Sequence, residues 1–241
     1  MKKLIPLALV LTTPAFAADE AKKWSGEGEL GYTMTSSAAG TEGESLLGKL
    51  GINYKNAAWG NEFKLEQIKG STTDVNGDKT DSADRSTLTN KVTYDFNADF
   101  FSWAAGKYED DEFSDYHYIQ NLTAGIGWHV IKNDTTLLDL EAGAGSQRLT
   151  LRNTGDTESG VAFRFLEKFS HKLNENTDFT QSLLAEGNDD NIQTTLDLGL
   201  KVAMSKAVAL KLSHQVKHNS EVEPGTSNYD RISSVAVVYG F

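Results

Sequence analysis

Apolar and polar residues alternate one by one through most of the chain, and no 3.6-residue period survives beside that two-residue one. The pattern is clearest where Leu196, Leu198, Leu200, Val202 and Met204 oppose Thr195, Asp197, Gly199, Lys201 and Ala203. Such a segment is a strand whose two faces meet different surroundings. The last ten residues, ISSVAVVYGF, keep the alternation to the end: Phe241, Tyr239, Val237 and Val235 on one side, Gly240, Ala236 and Ser234 on the other, with Val238 the apolar intruder. A chain end normally frays into solvent. An aromatic one needs an apolar neighbour at its final residue, which a bilayer interface supplies; this stretch alone fits the closing strand of a soluble sheet equally well.

The alternation recurs about every 18 residues, which gives twelve strands. They are expected over 24–34, 45–54, 58–70, 83–96, 99–110, 117–131, 136–151, 159–171, 177–187, the run around 195–204, 207–218, and the last ten residues. The fifth has an ambiguous phase because Phe100 and Phe101 are adjacent; Lys107 and Glu109 are taken as inward and Tyr108 as outward. In the sixth, Leu122, Ala124, Ile126, Trp128 and Val130 are expected on one face, with Asn121, Thr123, Gly125, Gly127 and His129 on the other. Gly125, Gly127, Gly143 and Gly145 mark tight curvature of the wall. Short connections at Asn56, Asn97, KNDT, NENT and Ser205-Lys206 alternate with longer acidic or Gly-rich loops such as SSAAGTEGE and STTDVNGDKTDS. That asymmetry belongs to a closed antiparallel transmembrane β-barrel, with tight periplasmic turns and longer outer loops.

The N-terminus, MKKLIPLALVLTTPAFA, carries Lys2 and Lys3, an apolar run and an Ala15-Phe16-Ala17 cleavage pattern. It reads as a secretory signal over 1–17, leaving the barrel as 18–241. No other stretch approaches the roughly 20 apolar residues of a membrane-spanning helix, so a membrane-spanning form must be a barrel. The net charge of -11 becomes -13 once Lys2 and Lys3 are removed, which argues against nucleic acid as a partner. There are no cysteines, so no disulfide staples an exported chain. Of the three prolines, Pro6 and Pro14 belong to the signal and Pro224 to a loop, so no expected strand contains one.

With the polar face inward, the lumen is lined by Glu27, Glu29, Lys49, Glu62, Lys64, Glu66, Arg85, Lys91, Asp139, Glu141, Arg164, Lys168, Asp197, Lys201 and Lys211. The two signs nearly cancel, unlike a filter built on a ring of one sign. Mixed charges suit either a plugged barrel held by a cross-strand network or a narrow diffusion channel. Excess acid falls to the outer loops, where solvation explains it; loose divalent-cation binding is the sharper expectation. The segment DVNGDKTD (Asp74, Asn76, Asp78) starts like a calcium loop, but its Gly is misplaced and Arg85 stands where a bidentate Glu should be, so no metal site and no cofactor are expected.

The block GKYEDDEFSDYHYIQNLTAGIGWHVIKNDTTLLDLEAGAG, the segment KFSHKLNENTDFTQ and the ending LKLSHQVKHNSEVEPGTSNYDRISSVAVVYGF resemble the salt-induced outer-membrane protein family, YdiY-like and of unknown function. The resemblance covers most of the chain after the signal. It implies a barrel in the outer membrane of a Gram-negative envelope, in contact with lipid and lipopolysaccharide and placed there by the outer-membrane insertion machinery. It brings no substrate, reaction or ligand residues, and the stress role rests on the family's name. The expected function is a narrow passive channel or a structural envelope protein, not an enzyme. The alternative is a lipid acyl hydrolase using His214 and Ser233, expected to face each other across the last hairpin on the outer lipid-facing wall. No G-x-S-x-G elbow surrounds any serine, and His117 and His129 are too far apart along one strand to share a metal.

Overall fold

The computed structural model describes residues 23–36, 42–189, 191–222 and 228–241. Twelve strands follow in order: β1 (Trp24–Ser36), β2 (Glu42–Asn56), β3 (Trp59–Thr73), β4 (Lys79–Asp95), β5 (Phe100–Asp111), β6 (Tyr116–Lys132), β7 (Thr136–Leu151), β8 (Thr157–Asn174), β9 (Thr177–Gly187), β10 (Ile192–Ala203), β11 (Val208–Asn219) and β12 (Tyr229–Gly240). Each pairs antiparallel with its predecessor and β12 pairs with β1, so the sheet closes into a barrel without an edge. The signal segment 1–17, Asp190, Glu223 and Pro224 lie outside the described residues. Closure runs to the last residue, where the Gly26 N–H donates to the Phe241 carbonyl (3.0 Å) and the Phe241 N–H to that of Gly26 (2.9 Å). The Phe241 ring fills the space a Gly26 side chain would need.

The short turns carry their own chemistry. Asn97 Oδ1 accepts from the N–H groups of Asp99 and Phe100, and Asn133 Oδ1 from those of Thr135 and Thr136. Asn174 Oδ1 accepts from the Asn176 N–H, and Ser205 Oγ from those of Ala207 and Val208. These local bonds replace ladder bonds where the chain reverses. The fifth short turn places Ala57 at φ 51, a left-handed conformation.

At the opposite end, strands extend further than the alternation suggests. Pairing of Thr73 with Lys79 shrinks the expected loop over 71–82 to a turn around Asp74–Asp78. Asp74 Oδ1 there accepts the N–H groups of Asn76 (2.9 Å) and Asp78 (2.8 Å). The bond from the Asp78 N–H, followed by those from Asn76, holds the Asp74 carboxyl below the usual carboxylate range. No cluster of three or more metal-ligating side chains occurs among the described residues. Glu158, just before the strand expected over 159–171, lies within β8.

Strands β6 and β7 approach each other so closely that a Cβ at Gly125 would sit 2.0 Å from the Ala142 carbonyl oxygen, and one at Gly145 1.9 Å from that of Leu122. A register shift between His129 and Ile131 takes Val130 out of the regular alternation: Ile131, not Val130, pairs with Leu138.

Most outward side chains of the apolar band are apolar, with Leu122, Ile126, Val161 and Phe163 each about two-thirds exposed. Rings gather in two belts. Trp24 meets Tyr54, Trp59 meets Tyr94 and Phe100 meets Trp128 near the short turns; Tyr108 meets Tyr118 and His218 meets Tyr229 near the long loops.

Candidate functional site: the ion-paired lumen

The other face of every strand points into the barrel. The register puts all the charged residues expected there, from Glu27 to Lys211, on that side, together with Lys107, Glu109, Glu186 and Lys217. What alternation could not disclose is which of them meet. Lys49 pairs with Glu66 on the next strand (2.7 Å), and Glu66 lies 3.8 Å from Arg85. Arg85 donates to Gln215 of β11 (3.2 Å), whose amide donates in turn to Asp197 (2.8 Å). Glu109 of β5 holds two cations, Lys217 of β11 at 2.5 Å and Lys107 at 3.2 Å; Lys107 also donates to Gln193 of β10 (2.6 Å).

These contacts span the lumen. Strands β5 and β11 lie six apart in a ring of twelve, on opposite walls. A circular ring with strands about 4.8 Å apart and tilted about 40° would be about 24 Å across. A lysine and a glutamate tip to tip bridge only about 14 Å between Cα atoms. The barrel is therefore flattened at this level, and opposite walls touch through a salt bridge whose two side chains are each 5% exposed.

Further pairs fill what the flattening leaves. Arg164 binds Glu186 (3.1 Å), which also accepts from Asn121 (2.7 Å). Lys91 pairs with Glu141, Lys211 with Glu29 (2.6 Å) and Lys201 with Glu27 (3.4 Å). His129 Nδ1 lies 2.6 Å from Asp139.

Apolar groups occupy the interior as well. Phe101 and Trp103 are buried inside, over Gly127 and Gly143, whose missing side chains leave room for the rings. The Arg164 guanidinium sits 5.3 Å above Trp103, and the Trp103 indole donates to the Ile126 carbonyl (3.1 Å). Tyr116, Ile119 and Leu149 form a second buried cluster toward the long loops. A cavity between Lys49, Glu66, Asp197 and Gln215 is about 10 Å³, room for about one water. Toward the short turns the lumen opens: Lys168 is exposed, and Lys64, though paired with Glu62, keeps 59% of its side-chain surface.

The outer wall carries a few polar residues, and most of them satisfy one another. Asn61 bonds Asn90 (3.2 Å), Gln181 donates to Glu167 (3.1 Å), and His214 Nδ1 lies 2.8 Å from Ser233 Oγ. His214 and Ser233 are direct cross-strand partners on β11 and β12. Among the described residues no carboxylate comes within 4 Å of His214.

No curated protein sequence matches the chain. Among solved structures, an outer membrane channel from Pseudomonas putida F1 shares the fold, with a TM-score of 0.53 at 13% identity over 93% of this chain and 100% of that one. The translocator domain of the autotransporter NalP from Neisseria meningitidis is similar, with a TM-score of 0.51 at 14% identity over 92% and 89%. At these identities the likeness concerns architecture alone. The model of a family described as a protein of unknown function, DUF481, matches residues 20–241, and the chain belongs to that family.

Proposed function

We propose that the protein is an outer-membrane barrel that acts as a very narrow passage for water and small ions and is closed to solutes of sugar size. The membrane part of this reading is supported by the two ring belts. Trp128 and Tyr118 lie ten residues apart on β6, as do Tyr239 and Tyr229 on β12. At the usual strand rise and tilt that separation corresponds to about 25 Å, the height of a barrel's apolar band. The short turns then face the periplasm and the long loops the outside.

The narrowness rests on one observation, the Glu109–Lys217 contact between opposite walls. A sugar passing that level would have to break a salt bridge shielded from water. Planar-bilayer recording tests it: the wild type gives only small steps of current carried by small ions, while Glu109→Ala with Lys217→Ala gives larger discrete steps. Large steps from the wild type, together with liposome swelling in disaccharides, would refute it.

A second reading, acyl hydrolysis of membrane lipid, is favoured by the 2.8 Å contact of His214 with Ser233 on the lipid-facing wall. A nucleophile and a base are in reach there, but no carboxylate among the described residues orients the imidazole, and the Asn61–Asn90 and Glu167–Gln181 pairs are bonded to each other in the same way. Fatty-acid release from labelled phospholipid that disappears in His214→Ala would establish this reading; no release from the wild type would remove it.

A further inference from the structure

The outer wall between β6 and β8 carries a trough. On β7 the outward residues Ala142, Ala144 and Ser146 are small; on the β8 side their register partners Phe165, Phe163 and Val161 are all large, and on the β6 side Ile126 and Leu122 are large while Ala124, opposite Ala144, is small and widens the trough there. At its long-loop end the trough widens into a concavity of about 550 Å³ bordered by Tyr108, Gln120, Ser146, Arg148 and Ser159. Arg148 is exposed there, and its guanidinium has no hydrogen bond, ion pair or ring contact among the described residues. The other charged outward groups nearby in kind are engaged: Glu167 by Gln181, and Arg231 over the Tyr229 ring at 5.0 Å.

An unpaired guanidinium at the border of an apolar band is costly unless an anion meets it. It stands level with the Tyr108–Tyr118 ring pair, where headgroups begin. Arginine presents a fork that matches phosphate oxygens. Hydroxyl and amide groups of Tyr108, Gln120, Ser146 and Ser159 surround it, a donor and acceptor set suited to sugar hydroxyls beside the phosphate.

We propose that this face binds a phosphorylated glycolipid of the outer leaflet, of the lipopolysaccharide class, with a lipid A phosphate on Arg148 and an acyl chain along the small-residue trough of β7. The inference rests on the outer-membrane reading above and adds a ligand to it. An acyl chain in the trough covers Val161 and Phe163, and the phosphate supplies the anion that the protein lacks at Arg148.

The test is native mass spectrometry of the folded full-length protein, released from detergent with equal amounts of bisphosphorylated lipid A, dephosphorylated lipid A and phosphatidylglycerol. The wild type is expected to retain bisphosphorylated lipid A at least tenfold over the other two. Arg148→Gln removes that preference, Ala144→Phe weakens retention with the charge intact, and Arg231→Gln leaves it unchanged. Unaltered retention in Arg148→Gln, or equal retention of phosphatidylglycerol by the wild type, would overturn the assignment. Folding of each variant is checked by heat-modifiable gel mobility. A membrane-folded wild type without preference for lipid A ends this inference alone, whereas a mature chain recovered as a soluble protein ends the outer-membrane reading with it.

Discussion

Glu109 joins opposite walls of the constricted lumen, and its removal should cost more than removal of either cation. In Glu109→Gln, Lys107 and Lys217 are left facing each other in a site where the carboxylate was 5% exposed. Losing one partner of a buried pair costs about 3–5 kcal/mol. In Lys217→Met, Glu109 keeps Lys107 at 3.2 Å, so the loss falls to about 1.5–3 kcal/mol, the scale of one charge-assisted hydrogen bond. In the double variant the two cations no longer face each other and Lys107 still donates to Gln193 at 2.6 Å, so the total should be about 2 kcal/mol, well below the sum of the single variants. Urea unfolding in lipid vesicles, followed by tryptophan fluorescence, measures all four corners of the cycle. Additivity within about 0.5 kcal/mol would refute the reasoning, because residues that do not touch behave that way.

Other consequences follow from single contacts. Gly145→Ala would drive a methyl group into the Leu122 carbonyl and should cost about 1–3 kcal/mol or block folding, while Gly28→Ala, with nothing within 4 Å, should be neutral; both are read by the same unfolding assay. Asp74 lies outside the membrane and its carboxyl is held low by the Asp78 and Asn76 N–H groups. Its contribution to the turn is therefore complete above the ordinary carboxylate range and disappears as pH falls through the lowered folded value. NMR titration should find a midpoint below that of free aspartate, with protection of the Asn76 and Asp78 amides lost only below it; a midpoint at the free value would contradict this. Deleting Phe241 removes the Gly26–Phe241 bond pair and should lower the yield of folded barrel on refolding, whereas Phe241→Tyr should refold normally.

Strand number, closure and facing were legible because each wall residue has one apolar and one enclosed side, which writes a two-residue period into the sequence. The turns were legible because Asn97, Asn133 and Ser205 bond their own backbone. The inner packing was harder. Adjacent Phe100 and Phe101 concealed the phase of β5, although an inward Lys107 and Glu109 carry the odd-numbered positions back to Trp103 and Phe101. Val130 was misplaced because a bulge inserts a residue without any mark in composition. Contacts across the lumen had no signal at all: strand pairing is local, but the meeting of Glu109 with Lys217 depends on how far the whole ring is flattened. The trough on β7 was visible as Ala142, Ala144 and Ser146 but acquired meaning only beside Phe163 and Leu122.

The native absence of cysteine allows a single-cysteine scan of 195–200 in the folded protein reconstituted in lipid. Probes at Leu196, Leu198 and Leu200 should be quenched by lipid-borne quenchers and resist water-soluble ones, while those at Thr195, Asp197 and Gly199 should escape the lipid quenchers. The reverse assignment, or equal quenching at every position, would contradict a barrel that turns its apolar face to lipid and encloses its ion pairs.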